Sequence, residues 1–163
     1  MRIVILFLIF TTNILAEEII GIPKIVDGDT LKINEYKIRL EGIDAPEIKQ
    51  QCEKEKLKIS SIIGYTFYTN YNCGEVSKKN LDTKIFGSKI KCVSFGKDKY
   101  KRYLATCFKD RINLNRWMVR NGHAVAYRRY SKDYVPDEEF AKENKLGLWK
   151  GKFLNPEKWR KLN

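Results

Sequence analysis

The sequence predicts a mainly β, α+β fold: five strands closing a small barrel, with about three helices laid against it. Three observations carry this. Short alternating apolar runs recur between Ile19 and Leu40, separated by turn residues. A second pair of such runs, Lys89 to Phe95 and Tyr103 to Phe108, brackets a polar turn. Helical stretches with clear start and stop residues fill the intervals. At 163 residues and 43% hydrophobic, the chain can build a core, and its length favours one domain, over 17–163.

The elements follow in order. Ile19 to Val26 is apolar and β-branched, a strand, and Asp27-Gly28 is a hairpin turn signal. Thr30 to Ile33 and Tyr36 to Leu40 alternate about Asn34-Glu35, which completes a three-stranded meander. Glu41 to Glu47 is a loop. Ile48 to Gly74 is Lys-rich, then aromatic and Asn-rich, and predicts no element. Glu75 to Phe86 is helical, with Gly87 as its stop. After the second hairpin, Asn113 can N-cap a helix running to Asn121, and Gly122 ends it. Pro136 to Lys145 is a further helix with its proline in the first turn. Three strands, a helix, two strands and two helices is the order of an OB-type barrel; an open α+β sheet is the alternative.

Residues 1–16 read as a secretory signal: Arg2, an apolar run from Ile3 to Phe10, and a cut after Ala16. An uncleaved anchor and a buried strand are the other readings. The run is short of the roughly 20 apolar residues that span a bilayer. Export makes the chain periplasmic or secreted, free of stable membrane association once the signal is cut, and the expectation is a monomer. Export also favours disulfides among Cys52, Cys73, Cys92 and Cys107, over four reduced thiols. Three pairings are possible. A hairpin centred at Lys99–Tyr100 sets Cys92 opposite Cys107, which leaves Cys52 for Cys73 and closes 48–74 as an insertion. No CxxC spacing supports zinc.

Lys and Arg total 32 against 20 Asp and Glu, a formal net charge of +12. Of this, 98–132 carries ten bases and two acids, interleaved with Tyr100, Tyr103, Tyr127 and Tyr130. Cations interleaved with aromatics suit a phosphodiester backbone with bases to stack. The single His123 excludes paired-imidazole catalysis and reads as structural.

Three clusters could carry chemistry: Asp27-Gly28-Asp29-Thr30; Arg39 with Asp44-Ala45-Pro46-Glu47; and Asp98-Lys99-Tyr100-Lys101-Arg102. Singly they are a turn, a loop and a hairpin tip. Together, with Leu146-Gly147-Leu148-Trp149, they resemble the thermonuclease family, the staphylococcal-nuclease-like phosphodiesterases, over roughly Ile19 to Trp149. The resemblance implies an OB-fold nuclease that cuts DNA and RNA with low sequence preference and leaves 3′-phosphates. It implies Ca²⁺ as cofactor, with Asp29, Asp44 and the Ala45 carbonyl as ligands. It casts Glu47 as the base that activates water, and Arg39 and Arg102 as the holders of the scissile phosphate. Lys99, Tyr100 and Tyr127 match contacts to the substrate. The family often has Gly where Lys101 stands, so a positive φ there would strain the turn that carries Arg102. The segment 48–74 has no counterpart in the secreted type enzyme.

These types suit the chemistry. A hard cation takes oxygen ligands. Guanidiniums grip phosphoryl oxygens bidentately and stay charged. A carboxylate can take a proton from water. The rival readings are a non-catalytic nucleic-acid-binding OB module and an envelope protein binding anionic lipid through 98–132.

Overall fold

A computed structural model describes residues 16–59 and 65–163. The leader expected over 1–16 lies outside the described residues but for Ala16. Among the described residues no helix is long and apolar enough to cross a membrane.

The barrel is built from β1 (Glu17–Gly21), β2 (Lys24–Ile25), β3 (Thr30–Ile33), β4 (Tyr36–Leu40), β8 (Ile90–Lys97) and β9 (Tyr103–Lys109). The sheet order is β1-β8-β9-β4-β3-β2. Its two edge strands, β1 and β2, are successive pieces of one bent segment. Both edges therefore meet at Ile22-Pro23, and the sheet curls into the five-stranded barrel of the OB type. The single strand expected over Ile19–Val26 is broken here because Pro23 has no N–H to continue a ladder. The meander is correct for β2, β3 and β4, whereas β1 pairs with β8 across the barrel.

Period-two alternation drives the packing. Leu31, Ile33, Ile38 and Leu40 are fully buried, and Ile90 is nearly so. α1 (Cys73–Ile85) adds Leu81 and Ile85, and α2 (Leu114–Arg120) adds Leu114, Met118 and Val119. α1 starts two residues before Glu75, behind Asn72, whose side chain accepts from the Glu75 N–H at 3.2 Å. Asn113 caps α2 as expected, accepting from the Arg116 N–H at 2.9 Å. The short β10 (Ile112–Asn113) pairs with β9. α3 (Val135–Glu143) carries Pro136 in its first turn.

β4 and β9 run parallel, so the chain between them must cross over rather than turn tightly. That crossover holds β5 (Ile43–Asp44), an unexpected hairpin of β6 (Gln51–Ile59) and β7 (Tyr65–Asn72), then α1 and β8. With β12 (Gly151–Lys152), the hairpin forms a separate three-stranded sheet. Two disulfides bond Cys52 to Cys73 and Cys92 to Cys107. In the β8–β9 register, Cys92 lies directly opposite Cys107, as the sequence predicts. The first bridge ties the hairpin to the start of α1, over a small cluster with Val125 and Leu148. The tail forms a 3-10 turn (Gly147–Lys150) and a further helix, α4 (Pro156–Leu162), one more helix than expected.

His123 packs against Trp117, ring centroids 5.3 Å apart, and its carbonyl accepts from Ser77 Oγ at 2.7 Å. Burial, then the charge of Lys150, pushes its pKa down to about 4. The folded protein therefore refuses a proton that the unfolded chain accepts below pH 6.5. Stability contributed by this group is lost as pH falls from 6.5 toward 4, by up to about 3 kcal/mol. Urea unfolding of the protein and of His123→Phe across this range should show the wild type losing that much more. Parallel curves would mean the imidazole titrates freely.

Candidate active site

The site grows from the β3–β4 register, which sets Thr30 opposite Arg39. Asp29 precedes β3, and its carbonyl accepts from the Leu40 N–H at 2.7 Å. Arg39 then bridges two acids: Nη1 donates to Asp29 Oδ1 at 2.8 Å and Nη2 to Asp44 Oδ1 at 2.9 Å. Both acids are nearly inaccessible, Asp29 3% and Asp44 1% exposed. The Ala45 N–H donates to Asp29 Oδ2 at 2.9 Å, which fixes the Ala45 backbone beside the pair.

Asp44 is held from behind. β5 pairs with β11 (Val125–Ala126), Asp44 opposite Val125. Gly42 makes the preceding turn at φ +75°, where a Cβ would lie 2.8 Å from the Tyr134 ring. Its carbonyl accepts from the Tyr127 N–H at 2.9 Å. Asn115, fully buried, donates to the carbonyls of Glu41 and Ala105 at 2.9 and 3.0 Å and accepts from the Cys107 N–H. It anchors the loop that leaves β4.

Glu47 is set by its own turn. The Gln50 N–H donates to the Glu47 carbonyl at 2.8 Å. Gln50, fully buried, donates through Nε2 to the Leu154 carbonyl at 2.6 Å. Gly74 lies against that turn so closely that a Cβ would come 1.8 Å from the Glu47 oxygen. The Glu47 carboxylate, about a third exposed, meets Arg160 of α4: Nη1 to Oε1 at 2.8 Å. The other arm of the same guanidinium donates to Asp44 Oδ2 at 2.9 Å.

Arg102 stands on the β8–β9 turn. Asp98 organises that turn, accepting from the Tyr100 and Arg102 N–H groups at 2.9 and 3.0 Å. Arg102 Nε and Nη2 both meet Asp98 Oδ2, at 2.8 and 2.7 Å. Its Nη1 reaches 3.5 Å from Thr30 Oγ1, next to Asp29. Lys101 does take a positive φ, +62°, and Asp98 holds the turn despite it. Lys99 and the exposed Tyr100 flank Arg102, whose Cζ lies 5.5 Å from the Tyr100 ring centroid. Tyr127 packs edge-on to Tyr130. A shallow groove of about 580 Å³ leads off the turn, lined by four lysines (Lys32, Lys37, Lys97, Lys101), three tyrosines (Tyr36, Tyr100, Tyr103) and Glu35, which pairs with Lys32. Much of the basic charge of 98–132 is used elsewhere. Arg116 and Arg120 pair with Asp137, and Arg128 with Glu138 and Glu139.

Burial pushes the Asp44 carboxyl up, and nearby Asp29 adds to this, against the pull of Arg160 and Arg39. Asp27 is raised to about 6, by burial and then by Asp29. For Arg39, burial opposes the charge, but Asp29 and Asp44 outweigh it and raise its pKa. The pocket is thus crowded with acid. Among the described residues no three His, Cys, Asp or Glu side chains form a metal-binding group. Asp29, Asp44 and a backbone carbonyl are nonetheless an oxygen-only set, and the surplus of buried acid suits a hard divalent cation.

A curled five-stranded barrel with an arginine-bridged acid pair at its crossover defines the class. The chain belongs to the staphylococcal nuclease family: the family model described as staphylococcal nuclease homologue matches residues 37–151. It is 34% identical over 138 residues to the succinoglycan biosynthesis protein ExoI of Rhizobium meliloti, covering 83% of this chain and 66% of that protein. It is 32% identical over 148 residues to an uncharacterized endonuclease of Haemophilus influenzae, covering 86% of this chain and 71% of that one. A probable staphylococcal-like nuclease of rice, CAN3, is 28% identical over 138 residues, 82% of this chain and 30% of the rice protein. Relatives named as nucleases support a nuclease function.

The site brings together Asp29, Arg39, Asp44, Ala45 and Glu47, and sets Arg102 beside Thr30. Arg160, Gln50 and Asn115 were not foreseen. The Asn155-Pro156-Glu157 start of α4 was a legible helix signal, since Asn155 accepts from the Glu157 N–H at 3.0 Å.

Lys101→Gly should stabilise the protein by about 1 kcal/mol, because the left-handed conformation costs a non-glycine residue about that much. Thermal unfolding reads this as a higher midpoint. A lower midpoint would show that the Lys101 side chain contributes more than its backbone costs.

Proposed function

We propose that residues 17–163 act as one exported, monomeric, calcium-dependent endonuclease domain that hydrolyses phosphodiester bonds of DNA and RNA with low sequence preference. The observation that carries this reading is Arg39 held between Asp29 and Asp44, with the Glu47 carboxylate tied to the same Asp44 through one guanidinium. Two disulfides are compatible with export.

Asp29, Asp44 and the Ala45 carbonyl would hold Ca²⁺. When bound, it supplies positive charge against the phosphate and a place for water near it. Arg39 and Arg102 hold the phosphoryl oxygens, and their hydrogen bonds strengthen as negative charge builds there. Glu47 takes the proton of the attacking water. The water oxygen bonds to phosphorus, the 5′-oxygen leaves and takes a proton from solvent, and a 3′-phosphate remains. Lys99, Tyr100 and Tyr127 contact the substrate near its terminal phosphate. The Lys- and Tyr-lined groove beyond Arg102 gives the continuing strand cations and rings.

The test is digestion of single-stranded DNA, double-stranded DNA and RNA with Ca²⁺ or with chelator. Cleavage is expected only with Ca²⁺. Glu47→Gln should lower turnover about 100-fold or more while changing nucleic-acid affinity little. Full activity in that variant would remove Glu47 as the base. Binding without cleavage by the wild type in either condition would favour a non-catalytic module.

A further inference from the structure

The unexplained feature of the site is Arg160. It comes from the last helix, 116 residues away from Asp44 in sequence, and its two arms close on a proposed metal ligand and the proposed base. Arg39 holds Oδ1 of Asp44 and Arg160 holds Oδ2, so a divalent cation approaching Asp44 from the Glu47 side competes with the Arg160 guanidinium for Oδ2. From the juxtaposition of Arg160 with Asp44 and Glu47, and resting on the calcium reading above, we infer that Arg160 is a tethered latch. It occupies the acid pocket without metal and must leave Asp44 for the divalent cation to bind.

The helix that carries Arg160 is built to let go. α4 is seven residues long, and Pro156 is its only buried residue. A helix that short does not hold in water on its own propensity. It depends on its tethers: Leu154 to Gln50 at 2.6 Å, Glu157 to Arg129 at 3.6 Å, and the two Arg160 arms. Displacing the arms removes the strongest of these, since charge-assisted pairs outweigh neutral ones. The swap is electrostatically matched. One guanidinium neutralises part of the acid surplus without metal, and a divalent cation takes over that task.

The experiment measures Ca²⁺ affinity by calorimetry for the full chain and for Arg160→Gln, with circular dichroism to confirm folding. Arg160→Gln should bind Ca²⁺ about tenfold more tightly, the effect of freeing one charge-assisted hydrogen bond. Arg160→Lys keeps the charge and loses the fork, and should lie between. In the wild type, Ca²⁺ should speed hydrogen exchange in the amides of α4. Equal or weaker affinity in Arg160→Gln, with the wild type binding Ca²⁺ and cutting, would overturn the latch and leave the nuclease reading intact. No Ca²⁺ binding by either protein, with no cleavage, would overturn both. Should Arg160→Gln fail to fold, unchanged α4 exchange in the wild type on adding Ca²⁺ would overturn the latch.

Discussion

Arg39 and its two carboxylates form the constraint on which the rest of the site depends. Taking Asp29 and Asp44 out of water is costly; Arg39 bridges the two, the Ala45 N–H adds to Asp29, and Arg160 takes the remaining oxygen of Asp44. The pairing is close, yet burial and the neighbouring Asp29 still push the Asp44 carboxyl up against the pull of Arg160 and Arg39. A pocket left with surplus acid calls for a further cation. Arg160 supplies one from within the chain, and a metal ion would supply another. On the proposed reading, stability and chemistry are coupled at one point: what satisfies the acids also decides whether the site can bind a cation.

The barrel explains why these groups meet. β3 and β4 pair directly with Thr30 opposite Arg39, which leaves the neighbouring Asp29 carboxylate 2.8 Å from Arg39. The parallel β4–β9 pair then forces a long crossover, and that crossover begins with the loop carrying Asp44, Ala45 and Glu47. Its start is pinned by Asn115 and β11, and its turn at Glu47 by Gln50 and Gly74. The other end of the crossover delivers the Asp98 turn with Arg102. Residues from three separate sequence clusters converge because one topological requirement, a crossover between parallel neighbours, passes them over the same end of the barrel.

Much of this was legible in the sequence because it rests on local chemistry. The Asp27-Gly28 turn, the Asn113 cap, and the facing Cys92 and Cys107 follow from short-range patterns, while the positive φ at Lys101 was suggested only by the family resemblance. The β1–β8 pairing was not legible, because Pro23 splits a run that reads as continuous. The β6–β7 hairpin was hidden because QCEKEKLKI is mostly Lys and Glu and YTFYTNYN mixes aromatics with Thr and Asn, so the apolar alternation is short and partial. Arg160 could not be found from spacing, since its partners lie over a hundred residues away. The basic stretch at 98–132 is not one open cationic face: Arg116, Arg120 and Arg128 are paired to acids of α3. Lys37 and Lys32, the latter paired with Glu35, lie outside that stretch and line the groove beside Tyr100 and Lys101.

The most direct measurement of the central claim is a crystal structure of the protein with Ca²⁺ and a non-hydrolysable dinucleotide. The account predicts the cation on Asp29, Asp44 and the Ala45 carbonyl, and the phosphate on Arg39 and Arg102. It also predicts the Glu47 carboxylate turned toward the phosphorus. A dinucleotide bound away from Arg39, with no cation between Asp29 and Asp44, would contradict it.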